Sequence, residues 1–313
     1  MTFSMKIAAK GAAILAAGVL ALTACTNASE AGGPKPNSSG SAGASFDPSA
    51  VKKDESLASQ LPDALKSKGT LVVGSDTTYA PAEFLGGADN HTPMGYDVDL
   101  VKAIGATLGL KVDVQTADFS GILSSLGPKY DLGMSSYTVT KERLGAVNFV
   151  SYFNAGTAWA VQKGNPKTFS LDDVCGKSIG VQTGTIQEDP DLKDRNAKCL
   201  AAGKKSIDVV SLKDQADVTT RLVNGSLDAM AADSPIIGYA IQQSNGALEK
   251  IGATYDSAPE GIAIAKGDTA LADLIQKAMA KLIADGTYRK ILDTWGTADG
   301  AIAKADVNPA VSS

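Results

Sequence analysis

The chain contains one histidine in 313 residues. A His-rich metal site is therefore excluded, and a histidine-based catalytic triad has only His91 to draw on. That residue lies in the stretch Gly86-Gly87-Ala88-Asp89-Asn90-His91-Thr92-Pro93, where an exposed turn residue is expected. The cysteines number three, and with a single imidazole to join them a zinc site is not expected. Excess positive charge is also missing. The formal net charge is −5 and the pI near 5.0, which argues against a nucleic-acid binder with a basic face. Glycine-rich phosphate loops and nucleophile elbows are absent. No cofactor and no catalytic residue are read from the chain. What is present is an ordinary globular composition, 44% hydrophobic and 20% charged. The length suits two domains of about 150 residues each.

Lys6 and Lys10 are the only charged side chains before Cys25. Ala12 to Leu22 is purely apolar, too short to span a bilayer as a helix but suited to the apolar region of a secretory leader. Leu22-Thr23-Ala24-Cys25 follows, and this order resembles the lipobox of bacterial lipoproteins. The resemblance implies a leader at 1–24 and acylation of Cys25, holding the protein on the outer face of the bacterial cytoplasmic membrane. The alternative is an ordinary signal peptide with an incidental cysteine. Residues 25–56 are rich in Gly, Ser, Ala, Asn and Pro, bury little, and read as the lipidated cysteine with a flexible linker. The folded body is expected to start near Leu57 or Leu61. In an oxidising compartment the remaining Cys175 and Cys199 are predicted to pair, contributing roughly 3 kcal/mol in the chain-entropy picture. The alternative is two separate buried thiols.

The body reads as alternating α/β units. Leu71-Val72-Val73-Gly74 is a buried-strand pattern, Asp97–Leu108 has a helical apolar face, and Val112 and Val114 alternate with polar residues. A helix over Phe119–Leu126 and a strand over Tyr130–Met134 complete the first set. The second set has strands at Trp159–Val161, Ser178–Val181, Ile207–Val210, Leu227–Ala231 and Gly261–Ala265. Helices are expected from Thr185, over Asp214–Asn224, Pro235–Gln243, 269–285 and Tyr288–Trp295. The fold class is α/β, with mostly parallel sheets covered on both faces.

Five segments carry a resemblance to a known family. They are Leu71-Val72-Val73-Gly74-Ser75-Asp76-Thr77-Thr78-Tyr79-Ala80-Pro81; Gly95-Tyr96-Asp97-Val98-Asp99-Leu100; Ser136-Tyr137-Thr138-Val139-Thr140-Lys141-Glu142-Arg143; Asn224-Gly225-Ser226-Leu227-Asp228-Ala229; and Asp285-Gly286-Thr287-Tyr288. In this order they resemble the family 3 extracellular solute-binding proteins of amino-acid ABC transporters. The resemblance implies a two-lobed type II periplasmic-binding-protein fold, its two open sheets joined by two crossing strands, with ligand held between the lobes. Lobe 1 is expected at 57–156 plus 257–313 and lobe 2 at 157–256. It also implies a monomer that passes its ligand to a permease with its ATPase.

A free amino acid is a zwitterion and needs a cation, an anion and nearby hydroxyl or amide groups. Arg143 is the candidate for the α-carboxylate, since a planar guanidinium donates two parallel bonds. Asp233 is the candidate for the α-ammonium, or else an acid ahead of the helix at Ser234-Pro235. Thr138 would accept from the ammonium and Ser136 would donate to the carboxylate. Gln182-Thr183-Gly184-Thr185-Ile186 joins strand to helix and offers backbone N–H groups to an anion, or is a plain helix cap. Ile186 stands where the family often has threonine. Tyr79 and Phe119 would sandwich the ligand side chain. Ala82 replaces an aromatic common in the family, so side-chain selectivity rests on the surroundings of Ala82, Asp76, Tyr137 and Gln182. Asp76 reaches a polar or basic side chain, or only caps its turn. A polar or basic amino acid is the expected ligand. Two other readings compete. A cyclohexadienyl dehydratase-like enzyme would need an acid in the cleft, for which Glu83, Asp76 or Glu188 would serve. A freestanding amino-acid sensor would signal to a partner receptor.

Overall fold

The computed structural model describes residues 46–311. The expected leader, the lipidation at Cys25 and most of the expected linker lie outside the described residues. Order reaches further toward the N-terminus than Leu57. Phe46 is buried, and its N–H donates to Asp99 Oδ2 at 2.8 Å. Eleven strands run in chain order among the described residues: β1 (Thr70–Ser75), β2 (Thr78–Tyr79), β3 (Glu83–Gly86), β4 (Thr92–Met94), β5 (Lys111–Thr116), β6 (Leu132–Gly133), β7 (Val147–Gln162), β8 (Ser178–Gln182), β9 (Asp208–Leu212), β10 (Ala229–Asp233) and β11 (Leu248–Ala265).

Eight of these form a sheet in the order β5-β1-β6-β11-β7-β10-β8-β9. β1 lies between parallel neighbours on both sides, which is why its sequence is a continuous apolar run. At the other end β8 lies between β10 and β9, again in parallel. The middle pair, β7 and β11, is antiparallel and belongs to both ends. The first part of β7 faces the last part of β11 beside β6, and its last part lies beside β10. The two expected sheets are thus two halves, joined through the crossing strands.

The crossing strands are longer than their sequences indicate, 16 and 18 residues. Gly156 and the run Asp256-Ser257-Ala258-Pro259 read locally as turns, but they mark shifts of register between two continuous strands. At Gly156 a Cβ would stand 2.6 Å from the Tyr255 carbonyl oxygen, so the strands approach too closely there for any side chain. The expected strand at Tyr130–Met134 shrinks to Leu132–Gly133, because Tyr130 closes a turn with Gly127 and Ser125. The helix over Tyr96–Leu108 starts behind Gly95, whose φ of +126° and close contact with the Ala82 carbonyl oxygen require glycine.

A continuous apolar layer runs from Leu71, Leu100 and Ile104 to Val218, Leu222 and Ile236, across both halves. Separate clusters pack around Trp159 and Ile179 in the second half and around Tyr137 and Phe149 in the first. Cys175 and Cys199 form a disulfide with a Cα–Cα distance of 5.6 Å, and Cys199 is buried. The bond pins the helix Lys193–Ala201 to the loop before β8.

Candidate functional site

The parallel strands of the two halves run in opposite senses, and the loops leaving their C-terminal ends meet between the halves, where the Gln182 amide bonds Asp76. This is the usual place for a ligand in an open α/β sheet. A small cavity lies between the halves. The first half contributes Tyr79, Phe119, Ser136, Thr138 and Arg143; the second contributes Thr185, Ile186, Gln187 and Asp233. A far larger groove of about 1380 Å³ adjoins it, sharing Thr138, Arg143, Thr185 and Ile186 and running past the Cys175–Cys199 bridge.

Arg143 sits in the first turn of the helix Lys141–Ala146, capped by the Thr140 hydroxyl. Its guanidinium donates to the Thr138 carbonyl at 2.8 Å and, across the halves, to the Gly184 carbonyl at 3.0 Å. It also lies 5.5 Å from the ring centres of both Phe119 and Tyr137. Those two rings stack at 4.5 Å. Burial draws the Arg143 pKa down from its ordinary value, although nearby Tyr137 and Asp233 oppose that shift. The cation is therefore held rigidly and partly dehydrated, the condition in which a carboxylate partner binds most strongly.

Asp233 ends β10 and faces the same cavity. Tyr79 of the first half donates its hydroxyl to Asp233 Oδ2 at 2.8 Å, and Gln187 donates to Oδ1 at 3.0 Å. Gln187 also reaches the Thr157 hydroxyl at 3.1 Å. Burial raises the Asp233 pKa; the bonds from Tyr79 and Gln187 and the charge of Arg143 oppose that rise. The cavity thus holds one cation and one anion on facing sides, each already clasped by groups of the opposite half.

The remaining expected residues divide into lining and support. Tyr79, Phe119, Ser136, Thr138, Thr185 and Ile186 line the cavity with Arg143 and Asp233. Thr185 also caps its own turn, donating to the Gln182 carbonyl at 2.7 Å. Asp76, Tyr137 and Gln182 do not line it. Asp76 accepts from the Thr78 N–H and hydroxyl, the Phe119 N–H and the Gln182 amide, so its oxygens are occupied by the protein. Tyr137 is buried behind Phe119 and donates to the Phe119 carbonyl at 2.7 Å. Of the acids weighed for catalysis, Glu83 accepts from two serine hydroxyls and Glu188 from the Gly184 N–H. Ala82 is fully buried, with its carbonyl against Gly95, and is not at the cavity wall.

Gln187 was not expected. It is the residue after Ile186 in the same strand-to-helix turn, and it is the only uncharged amide there after Gln182. Its local signal is weak because the segment Gln187–Leu192 is kinked at Asp189, whose backbone is extended, and is not the plain helix start expected from Thr185. Gln187 itself is buried.

Residues 71–298 match the bacterial extracellular solute-binding proteins, family 3. The arginine-binding protein of Corynebacterium glutamicum is 32% identical over 253 residues, covering 80% of this chain and 82% of the relative. The L-cystine-binding protein of Escherichia coli K12 is 28% identical over 242 residues, covering 76% and 87%. Among solved structures, an ancestral arginine-binding protein bound to arginine superposes with a TM-score of 0.66 at 36% identity, covering 72% of this chain and 98% of that one.

Proposed function

This chain belongs to family 3 of the bacterial extracellular solute-binding proteins, and on that footing we propose that it binds a free basic or polar amino acid between its halves and delivers it to an ATP-driven importer. The observation that carries this reading is the pairing of Arg143 and Asp233 on facing sides of one buried cavity. Arg143 takes the α-carboxylate, supported by Ser136 and the backbone at Thr185 and Ile186. Asp233 takes the α-ammonium, with Thr138 beside it, and Tyr79 and Phe119 flank the side chain. Gln187 steers the Asp233 carboxylate. Asp76 and Gln182 act through their bond to each other, which brings the two halves together. The lobes divide as 57–156 with 257–313 and 157–256, meeting where β7 and β11 cross.

No helix among the described residues is long and apolar enough to cross a membrane. We place the attachment at an acylated Cys25, with the protein working as a monomer outside the cytoplasmic membrane beside its permease and ATPase. The role is binding and release, without chemical change of the ligand. A thermal-shift and calorimetric screen of the common amino acids tests the reading. A bound ligand at about a hundred times its Kd raises stability by roughly 2.7 kcal/mol. A folded protein that binds none of them refutes it.

A further inference from the structure

The floor of the cleft contains two buried carboxyls that the binding reading does not use. Glu83 on β3 is fully buried, and Asp97 in the first turn of the helix Tyr96–Leu108 nearly so. They hold the two serines that follow β6. The Ser135 hydroxyl donates to Glu83 Oε1 at 2.9 Å and the Ser136 hydroxyl donates to Oε2 at 3.3 Å. The Ser136 N–H donates to Asp97 Oδ2 at 3.1 Å, which also accepts from Tyr152 at 2.7 Å. Asp97 Oδ1 is buried without a donor, and Glu83 bonds the same serine, so the two carboxyls meet at Ser136.

Ser136 lines the cavity with φ at +50°, a left-handed conformation that a residue with a Cβ adopts only when its surroundings impose it. The restraint here consists of these two carboxyls, one accepting from its N–H and the other from its hydroxyl. Two buried carboxyls brought to one residue do not both ionise readily, so one keeps a proton. We propose that Glu83 and Asp97 share one proton and act as positioning residues, turning Ser136 into the left-handed conformation that presents it to the ligand. The proposal rests on the amino-acid-binding reading for its consequence, but not for its chemistry.

The surroundings favour a retained proton. Burial is the largest influence on both carboxyls, pushing Glu83 well above the ordinary range and Asp97 up to about 7. Asp97 and Asp76 add negative charge beside Glu83, while the Ser135 hydroxyl opposes it. On the far side stand Tyr96, Tyr152 and Glu260, the last fully buried on β11 with neither oxygen bonded. Asp233 lies beyond them and contributes to the upward shift of Glu260. Acids and tyrosines therefore surround the pair, and raising the pH through its titration leaves two negative charges in contact. The grip on Ser136 is then strained, and ligand affinity falls on the alkaline side.

The test compares the wild type with Glu83→Gln and Glu83→Leu, with L-arginine as the probe. Between about pH 6 and about pH 9, the wild-type Kd should rise while that of Glu83→Gln stays flat, because an amide keeps the donor and cannot lose a proton. Glu83→Leu leaves the serines ungripped and should weaken binding about thirtyfold. Two readouts need no ligand. The Tm of Glu83→Gln should gain on that of the wild type as pH rises. The Ser136 amide resonance should move with pH in the wild type and stand still in Glu83→Gln. Parallel Tm curves and matching amide titrations overturn the proposal, as does a folded Glu83→Leu that binds as the wild type does. If the wild type binds neither L-arginine nor any other amino acid, the binding reading fails, and the two ligand-free readouts still decide whether the pair holds a proton and Ser136.

Discussion

At the scale of single residues, the site depends on a cation and an anion that protein groups already hold. Arg143 spends donors on the Thr138 and Gly184 carbonyls, and Asp233 accepts from Tyr79 and Gln187. Arg143→Ala should abolish amino-acid binding, a loss on the order of 2–5 kcal/mol, while circular dichroism shows the fold intact. Asp233 yields a prediction in pH. Its pKa is raised above the ordinary 3.8 by burial, so the carboxylate needed by an ammonium is lost as pH falls through that raised value. Calorimetry on the acid side should therefore show weakening affinity that begins above pH 3.8. Asp233→Asn, already neutral, should bind weakly throughout and lack that acid limb. Arg143 and Asp233 were legible as candidates through the family resemblance of the chain, since residue type alone equally suits a solvated surface arginine and an acid ahead of a helix. Gln187 was not, since a glutamine in an apparent helix start looks like any solvated side chain until the fold buries it.

At the scale of elements, periodicity located the helices well and the crossing strands badly. The helix expected over Asp214–Asn224 is found at Gln215–Val223, and the one over 269–285 at Thr269–Ala284, because each carries its own apolar face. β7 and β11 were visible only at their apolar ends, since their middles contain Gly156 and Pro259 and are stabilised by each other. The small sheet β2-β3-β4 had no alternation long enough to register, yet it carries Tyr79 and Glu83. The disulfide acts at this scale too. It bridges a sequence separation of 24 and ties the helix Lys193–Ala201, which follows the kinked segment bearing Gln187, to the loop before β8. Replacing both Cys175 and Cys199 with serine should cost about 3 kcal/mol in stability, read as a lowered Tm by calorimetry. Amino-acid affinity should fall less, because the cavity residues keep their partners.

At the scale of the whole molecule, the two halves meet through several bonds across the cleft. Tyr79 reaches Asp233, Gln182 reaches Asp76, the Gln215 N–H reaches Thr78, and Lys213 reaches Asp118. The last pair is more than half exposed on both sides, so it adds little and is screened by salt. The buried contacts are the ones a ligand must share or replace. A ligand touching both halves favours their approach by its differential affinity for the closed arrangement. Small-angle scattering with saturating ligand should show a smaller radius of gyration than without it, and identical curves would count against closure.

The alternation of strands and helices, the family resemblance and the expectation of paired cysteines are legible in the order of residues alone, and the candidate charges of the site come through that resemblance. Each depends on local pattern, motif or residue type, which a linear chain displays. Tertiary structure decided the rest: the joining of two expected sheets through β7 and β11, the burial of Gln187, the support role of Asp76, and the meeting of Glu83 and Asp97 at Ser136. These arise between segments distant in the chain, where burial strips water from polar groups and leaves only other protein groups to satisfy them. Nothing in the spacing of Glu83, Asp97 and Ser136 shows that they meet. Only the packed fold brings both acids onto one serine, where no water is left to satisfy them.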